Sequence, residues 1–589
     1  MSAAVAPAAS IQLQGLVKSF GAQLPDAIAD ITSDIVSGSI TGLVGPDGAG
    51  KTTLLRMIAG LLVPSRGQVR VLGLDPTRDT DSLRQQVGYM PQKFGLYEDL
   101  TVMENLTLYA DLRNVVGPQR QASFERLLRF TDLARFTARY AGKLSGDMKQ
   151  KLGLACTLLG SPRVLLLDEP GVGVDPISRR ELWKMVSALA QDGMTVVWST
   201  AYLDEAELCH DVRLMNHGRF MASGAPAQLM APMQGRCWQI AQIEGPRRAV
   251  LQRALRLPEV MDGTIQGQNV RLVLRAGAAC PDLSLLAAGA QACWLPVAPR
   301  LEDAFISLLG GAAVGDSALA KVVPMVALDP QVAPDAVIEA RHLSKRFGDF
   351  VATDDVSFKV RRGEIFGLLG PNGAGKSTVF KMECGLLKPS AGQALVMGID
   401  LKTSPTLARQ RLGYMAQKFS LYKQLTVQQN LVFFSGIYGL TGSRQTEKMA
   451  ALVQAFGLQP HLQDLADTLP LGFKQRLALA CAVMHEPHLL FLDEPTSGVD
   501  PVTRREFWAH INGLADRGVT VMVTTHFMDE AEYCDRIALV YRGRVIALGT
   551  PDALKASVAT AERPNPGMED AFIELVLAAD AQDQQQVAA

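Results

Sequence analysis

GPDGAGKTT at Gly45–Thr53 and GPNGAGKST at Gly370–Thr378 decide the architecture. Both fit G-x-x-x-x-G-K-[ST]. Each follows an apolar run (Ile40–Val44, Ile365–Leu369) and opens a helix, which is the setting the motif requires. Glycines let backbone N–H groups face a phosphate with no Cβ in the way, and the helix N-terminus adds the positive end of its dipole. The first loop is Gly45, Pro46, Asp47, Gly48, Ala49, Gly50, Lys51, Thr52 and Thr53. The second is Gly370, Pro371, Asn372, Gly373, Ala374, Gly375, Lys376, Ser377 and Thr378. In such loops the lysine (Lys51, Lys376) reaches the β- and γ-phosphates and the hydroxyl (Thr52, Ser377) lies on Mg²⁺.

Outward from these loops the chain repeats itself. GYMPQKFGLY at Gly88 returns as GYMAQKFSLY at Gly413, LLLDEP at Leu165 as LFLDEP at Leu490, and VDP at Val174 as VDP at Val499. Lys51 and Lys376, Gln92 and Gln417, Asp168 and Asp493, and Asp175 and Asp500 all stand 325 positions apart. An ungapped offset of that length marks a duplicated domain. A later echo, EDAF at Glu302 and at Glu569, has an offset of 267, so the first copy carries 58 extra residues. Within them Val270, Leu272 and Leu274 alternate with Arg271 and Arg275, a half-buried strand, and Arg247–Leu257 has helical spacing. The chain accordingly divides into a disordered start (1–10), a first nucleotide-binding domain (11–230), a small α/β accessory domain (231–310) and a Gly/Ala/Pro-rich linker (311–336). A second nucleotide-binding domain (337–565), a C-terminal helix (566–578) and a disordered tail (579–589) follow.

The apolar strands that end in Asp168-Glu169 and Asp493-Glu494 supply the other half of each site. An aspartate at a strand's C-terminal end holds the Mg²⁺ shell, and the glutamate beside it polarises the attacking water, which must lie within its hydrogen-bond reach. Together with the loops, these residues predict hydrolysis of Mg-ATP. Phe20 and Phe347, in KSFG and KRFG, either stack on the adenine or pack in the core.

Composition narrows the classes. The 589 residues are 48% hydrophobic and 20% charged, which excludes wholesale disorder. Lys plus Arg (58) nearly cancel Asp plus Glu (59), a balance without the field of a dedicated nucleic-acid binder. Eight scattered cysteines with no CxxC pair read as reduced thiols of a cytosolic protein. No apolar run reaches the roughly 18 residues that span a bilayer, and the first ten residues lack an export signal's basic start, so a membrane role requires a partner.

LSGDMKQKL at Leu144–Leu152, about twenty residues before Asp168, resembles the LSGGQ-type signature of the ABC ATPase family. Gln92 and Gln417 are similar to that family's Q-loop, Asp175 and Asp500 to its D-loop, and His526 in VTTHFMDEAE to its switch histidine. The resemblance implies two P-loop ABC nucleotide-binding domains, each with a RecA-like core, an antiparallel β subdomain and a helical subdomain, beside the α/β accessory domain. It implies ATP and Mg²⁺ as cofactors, with Thr52, Gln92, Asp168, Ser377, Gln417 and Asp493 around the metal and Glu169, Glu494 and His526 as catalytic residues. PQKFGLYEDLTVMENL, DEAE and the EDAF helix resemble ATP-binding subunits of ABC-2 type exporters, and the double-length form a bacterial multidrug-efflux subgroup. That implies two permease subunits as partners, a periplasmic adaptor as a further one, and the cytoplasmic face of the inner membrane. Aromatics after each Q-loop glutamine (Phe94, Tyr97, Phe419, Tyr422, Phe433, Phe434) either pack in the core or line a groove for the permease. A soluble tandem ABC ATPase acting on ribosomes is the alternative. Such proteins have a long basic linker and two intact signatures, and neither is present here.

Departures from the family pattern are unevenly shared. The first signature keeps Ser145 and Gly146 but has Asp147 where a second glycine is expected. The second reads LPLGFKQRL, with Pro470, Leu471 and Gly472 at the corresponding positions. Proline has no N–H or hydroxyl to donate, and leucine adds bulk. Ala201 stands where the second copy has His526. In the family each cradle is completed by the other domain's signature, so both losses fall on the first cradle, leaving one competent and one degenerate site. Asp147 beside a phosphate is repulsive unless it pairs, with Lys149 or Lys151 as the partners within reach.

Overall fold

The structure, a computed structural model, describes residues 9–21, 25–93, 95–311, 317–326, 336–403, 411–417 and 421–588. They fall into two compact units. One comprises Met1–Gln234, Pro299–Leu309 and Gly498–Pro501, and the other Gly235–Ala298, Gly310–Ser497 and Val502–Ala589.

In the first unit a six-stranded sheet runs in the order Val87–Met90, Val164–Asp168, Thr195–Thr200, Ile40–Val44, Asp211–Asn216, Arg219–Gly224, parallel except for the last strand. Every residue of the strands Ile40–Val44, Val164–Asp168 and Thr195–Thr200 is buried, which is why none of them shows the apolar–polar alternation of a half-exposed strand. An antiparallel sheet of Ile28–Val36, Ala9–Lys18 and Arg66–Val71 covers the phosphate-loop helix, whose Leu54, Leu55 and Ile58 enter the same core. Helices Val102–Leu112, Gly117–Phe130 and Gly146–Leu158 form the helical part. The first is fixed by a capping box in which Thr101 and Glu104 satisfy each other's backbone N–H.

The second unit repeats this plan. Its six-stranded sheet begins its strands at Leu412, Leu489, Thr520, Ile365, Arg536 and Arg544, each displaced by 325 from its counterpart at Val87, Val164, Thr195, Ile40, Asp211 and Arg219. It also holds the accessory sheet, an antiparallel array in the order Val260–Gln266, Asn269–Leu274, Cys237–Ala241, Cys293–Pro296, against which the helix Arg247–Leu255 packs through Val250, Leu251 and Ala254. Ionic ties fasten it to the cassette. Asp535 receives both Arg247 (2.6 Å) and Arg248, buried Asp262 lies 3.4 Å from Arg505, and the Gln268 N–H donates to Asp552 at 2.6 Å.

The structure corrects several boundaries. Residues 1–8 lie outside the described set, but Ala9 and Ser10 are not disordered. Ala9 pairs with Val36, and the Ser10 hydroxyl meets those of Ser37 and Thr195. The accessory unit is narrower than 231–310. Its EDAF helix, Leu301–Leu308, belongs to the first unit, where the Glu207 carboxylate accepts the Leu301 N–H at 2.6 Å. Arg271 is buried too, its guanidinium donating to the Ala298 carbonyl, so that strand is not half-exposed. Within the linker a short helix, Ala318–Val322, is held by a Ser317–His510 hydrogen bond of 3.0 Å and by Lys448 on the Val322 carbonyl. Residues 312–316 and 327–335 of that linker are outside the described set. The last helix runs Met568–Ala588, past the expected end at Ala578. Its Ala/Gln-rich continuation favours helix, and Asp580 accepts from Tyr541 at 2.9 Å and pairs with Arg542 at 2.8 Å.

The repeat exposes one anomaly in the second core. Where the first copy buries Ile58 completely, the second buries Glu383, whose two carboxylate oxygens have no hydrogen-bond partner among the described residues. Burial, with Glu339 adding to it, pushes this carboxyl well above its ordinary range. The raised value means the folded state takes up a proton the unfolded chain releases, so the cost grows as pH rises above about 4.5. Glu383→Ile therefore stabilises the second unit at pH 7 by about 1–3 kcal/mol, with a smaller gain at pH 5. Calorimetric unfolding at the two pH values checks this, and an unchanged or lowered transition at pH 7 contradicts it.

Candidate functional site

The first phosphate loop turns through Gly48 (φ 78°) and Gly50 (φ 104°) into the helix Lys51–Ile58. Lys51 is buried. Its Nζ donates to the carbonyls of Gly45 (2.7 Å) and Pro46 (3.2 Å) and lies 3.2 Å from Glu169. The Thr52 hydroxyl donates to Asp168 at 3.1 Å, and Tyr89 adds a second bond to that carboxylate at 3.2 Å. Burial pushes the Asp168 carboxyl up, with the Glu169 charge adding to it. Gln92 reaches Glu169 at 2.6 Å and not the aspartate expected to share its metal.

The second loop follows the same geometry. Lys376 donates to Gly370 (2.6 Å) and Pro371 (3.0 Å), and Gln417 to Glu494 (2.8 Å). Here the two copies diverge. His526 is buried and its Nδ1 stands 3.3 Å from Glu494, whereas Ala201 occupies that place in the first copy. Burial alone pushes the Glu494 carboxyl up, but His526, Lys376 and Gln417 outweigh it and hold the group at about 2, ionised at any working pH. The Thr524 hydroxyl donates to Asp493 at 2.5 Å, while the Ser199 hydroxyl in the first copy has no partner among the described residues.

Sequence reading missed two features. Glu169 (φ 51°) and Glu494 (φ 48°) both sit in the left-handed region, a strained conformation for a non-glycine residue that persists where surrounding structure enforces it. Glu205 and Glu530, the first Glu of each DEAE, are buried beneath the switch strand. Glu205 accepts from Trp198 (2.9 Å) and Thr200 (2.7 Å), and Glu530 from Thr525 (2.7 Å) and Thr496. Thr525 in turn accepts the Phe527 N–H, so Glu530 fixes the backbone on both sides of His526. Burial raises Glu205 to about 7. A charged residue repeated at the same offset was the available signal.

The signature segments open helices Gly146–Leu158 and Leu471–Val483. Ser145 is exposed at the first N-cap and makes no side-chain cap bond, so its hydroxyl remains available. Pro470 is the second N-cap, with Leu471 and Gly472 half-buried behind it. Asp147 is not paired with either neighbouring lysine, because Lys149 binds Glu98 (2.7 Å) and Lys151 binds Glu181 (2.6 Å). It sits instead in the first helical turn, where the helix dipole favours an acid. Asp175 caps its own helix, accepting from Ile177 and Ser178. Phe20 and Phe347 are more than half exposed, each under a lysine ammonium about 5 Å away (5.3 and 5.1 Å), so they do not belong to the core. Tyr97, Tyr422 and Phe433 are likewise exposed and not core, and Phe94 and Phe419 lie outside the described residues.

Two phosphate loops, each facing an Asp-Glu pair at a strand end, define a P-loop ATPase with two cassettes on one chain. The family profile described as "ABC transporter" matches residues 28–172 and 353–497. The probable multidrug ABC transporter ATP-binding protein YbhF of Escherichia coli (strain K12) is 61% identical over 96% of this chain and 98% of its own length. The linearmycin resistance ATP-binding protein LnrL of Bacillus subtilis (strain 168) is 38% identical over 36% of this chain and 69% of its own. The Nod factor export ATP-binding protein I of Burkholderia orbicola (strain AU 1054) is 41% identical over 37% and 72%. The chain belongs to the ABC transporter family, as an ATP-binding, ATP-hydrolysing protein of the kind that works with transmembrane components.

Asp47 marks the first cradle chemically, since the second has Asn372 there. Burial raises the Asp47 carboxyl from 3.8 to about 6, and the Glu169 charge adds to the rise. Above pH 6 the side chain is ionised and repels a polyphosphate; below it the charge is lost. In a Lys376→Ala background, which silences the second cradle, Asp47→Asn tightens ATP binding at pH 7.5 by about tenfold, and the gain shrinks toward pH 5. Titration with a fluorescent ATP analogue reads both, and a pH-independent gain contradicts the assignment.

Proposed function

We propose that the protein is the ATP-driven engine of an ABC-2 type exporter of drug-like small molecules. It works at the cytoplasmic face of the inner membrane on two permease subunits, with a periplasmic adaptor completing the export route. The observation that carries this reading is the full-length likeness to a probable multidrug transporter ATP-binding protein, at 61% identity over 96% of the chain. Linearmycin resistance and Nod factor export, in the names of two other relatives, point the same way. No helix among the described residues is long and apolar enough to cross a membrane, which leaves the route to partner subunits. The exposed aromatic cluster on the helical part, with Tyr422 and Phe433 rings 4.5 Å apart, supplies a surface for a permease segment. The sequence and the named relatives favour no ribosomal role.

Within the engine, backbone N–H groups of each loop and Lys51 or Lys376 hold the phosphates, and Phe20 and Phe347 stack on the adenines. Hydroxyl and carboxylate oxygens suit Mg²⁺, a hard cation. Thr52 with Asp168, and Ser377 with Asp493, would hold it, joined by Gln92 and Gln417, and it would neutralise phosphate charge. Raised Asp168 and Asp493 carboxyls fit a site that gains from a cation. Glu494 then acts as an ionised base toward water and His526 orients it and the phosphate. Ser145 and Gly146 complete the competent site on the pairing that the resemblance implies. The first cradle has Glu169 but Ala201 for the histidine, and Pro470 and Leu471 for the signature donors, so it mainly holds ATP. Two lost hydrogen bonds to charged groups amount to a rate deficit on the order of 10²–10⁴.

Glu494→Gln accordingly removes about 90% or more of steady-state ATPase activity, while Glu169→Gln retains over about half. Equal losses would refute the asymmetry. Affinity purification in detergent tests the wider reading: multispanning subunits are expected with the tagged chain, and ribosomal subunits in their place would overturn it.

A further inference from the structure

The glutamate buried beneath each switch strand is answered differently in the two copies. Glu530 has donors on both carboxylate oxygens: the Thr525 hydroxyl reaches Oε2 at 2.7 Å, and the Thr496 hydroxyl reaches Oε1. Arg504 stands 3.7 Å from Oε1, with its guanidinium 5.0 Å from the centre of the Phe527 ring. Glu205 has both of its donors on one oxygen. Trp198 (2.9 Å) and Thr200 (2.7 Å) reach Oε2, and Oε1 has no hydrogen-bond partner among the described residues. Two exchanges produce this difference, since Thr496 corresponds to Gly171 and Val523 to Trp198. A Cβ on Gly171 would stand 1.9 Å from Glu205 Oε1, so the carboxylate of the first copy fills space that a side chain holds in the second.

The bond from Thr496 crosses between segments 34 residues apart in the chain. Thr496 lies two positions after Glu494, in a turn where the Ser497 N–H donates to the Glu494 carbonyl at 3.3 Å. At the other end Thr525 accepts the Phe527 N–H at 3.0 Å, and His526 stands between those two residues. One carboxylate therefore ties the turn that leaves Glu494 to the turn that carries His526, the two groups that face each other at 3.3 Å. Charge-assisted bonds of this kind are the stronger ones, and burial strengthens them further. In the first copy both donors to Glu205 come from the single strand Thr195–Thr200, so no such tie crosses to the turn after Glu169.

We propose that Thr496 is a positioning residue for ATP hydrolysis, latching the Glu494 turn to the His526 turn through Glu530, and that Gly171 removes this latch from the first cassette, a departure additional to Ala201. The inference rests on the assignment of hydrolysis to the second cassette made above. A base must lie within hydrogen-bond reach of its water, and small misplacements of reacting groups are expensive in rate. The latch acts on that placement and touches no nucleotide.

Steady-state ATPase kinetics of the full chain test this, with Thr496→Val, Thr496→Gly, Thr496→Ser and Glu494→Gln measured in parallel. Valine keeps the volume and removes the donor, and glycine copies the residue that the same fold carries at Gly171. In both, kcat falls about tenfold or more. KM for ATP stays within about twofold, the mark of a loss confined to the transition state. Serine restores the hydroxyl and most of the rate. Wild-type kcat in the glycine variant, a loss that serine does not recover, or a change carried by KM alone overturns the latch; if Glu494→Gln still removes the activity, the assignment to the second cassette stands. Retention of most activity in Glu494→Gln overturns that assignment and the latch with it.

Discussion

Nothing larger than hydrogen can stand on the inner side of Gly45 or Gly370, because a Cβ there would run into the carbonyl oxygen of Met215 or Val540 on the neighbouring strand. Gly50 and Gly375 are closed in the same way by the carbonyls of Ala27 and Ala352, and both adopt φ near 100° (104° and 102°). Each phosphate loop is thus clasped between the central sheet and the antiparallel sheet at two backbone points. That clasp sets where the following helix begins, which places Lys51 and Lys376 against the loop carbonyls and across from the strand-end acids. Thr52 on Asp168, and the carboxylates of Glu169 and Glu494 under the glutamines, are consequences of this placement.

This explains what was legible in the sequence. The loops, the Asp-Glu pairs and the 325-residue repeat are local patterns that chain geometry converts directly into the site, and all six sheet strands of the second cassette start where the repeat predicts. Partners brought together by folding were not legible. DEAE gives no sign that Glu205 turns inward to hold Thr200 while Glu207 turns to cap the helix at Leu301, because that depends on a helix 94 residues away. Nor does a Gln-rich tail announce that Asp580 will find Tyr541 and Arg542 and so extend a helix. The accessory domain was visible as a strand and a helix, but its allegiance to the second unit rests on Arg247, Arg248 and Asp262, whose partners Asp535 and Arg505 lie over 240 positions away.

Differences between the copies gather around chemistry and spare the frame. Asp47 replaces Asn372, Ala201 replaces His526 and Ser199 replaces Thr524, all within the shell of the strand-end acids, while strand order and the loop glycines are unchanged. The second copy has its own anomaly in Glu383, and it lies in the core behind the phosphate-loop helix, away from the reacting atoms. The first copy thus departs around its strand-end acids, and the second in its signature (Pro470, Leu471) and its packing.

The presence of Glu169 in the first cassette follows from electrostatics without any appeal to turnover. Lys51 is 5% exposed and Glu169 8%, with 3.2 Å between their charges. Removing one partner of a buried ion pair strands the other, at a cost of about 3–5 kcal/mol. Glu169 is therefore required by Lys51 whether or not a water is ever activated there, and Gln92 holds the same carboxylate from the other side. His526 stands differently, because Lys376 and Gln417 also hold the Glu494 carboxylate. It faces Glu494 through one contact of 3.3 Å, and among the described residues neither of its ring nitrogens makes a hydrogen bond. A residue of that kind can give way to alanine, as at Ala201, without exposing a buried charge, so the copies differ at the switch position while the carboxylate stays.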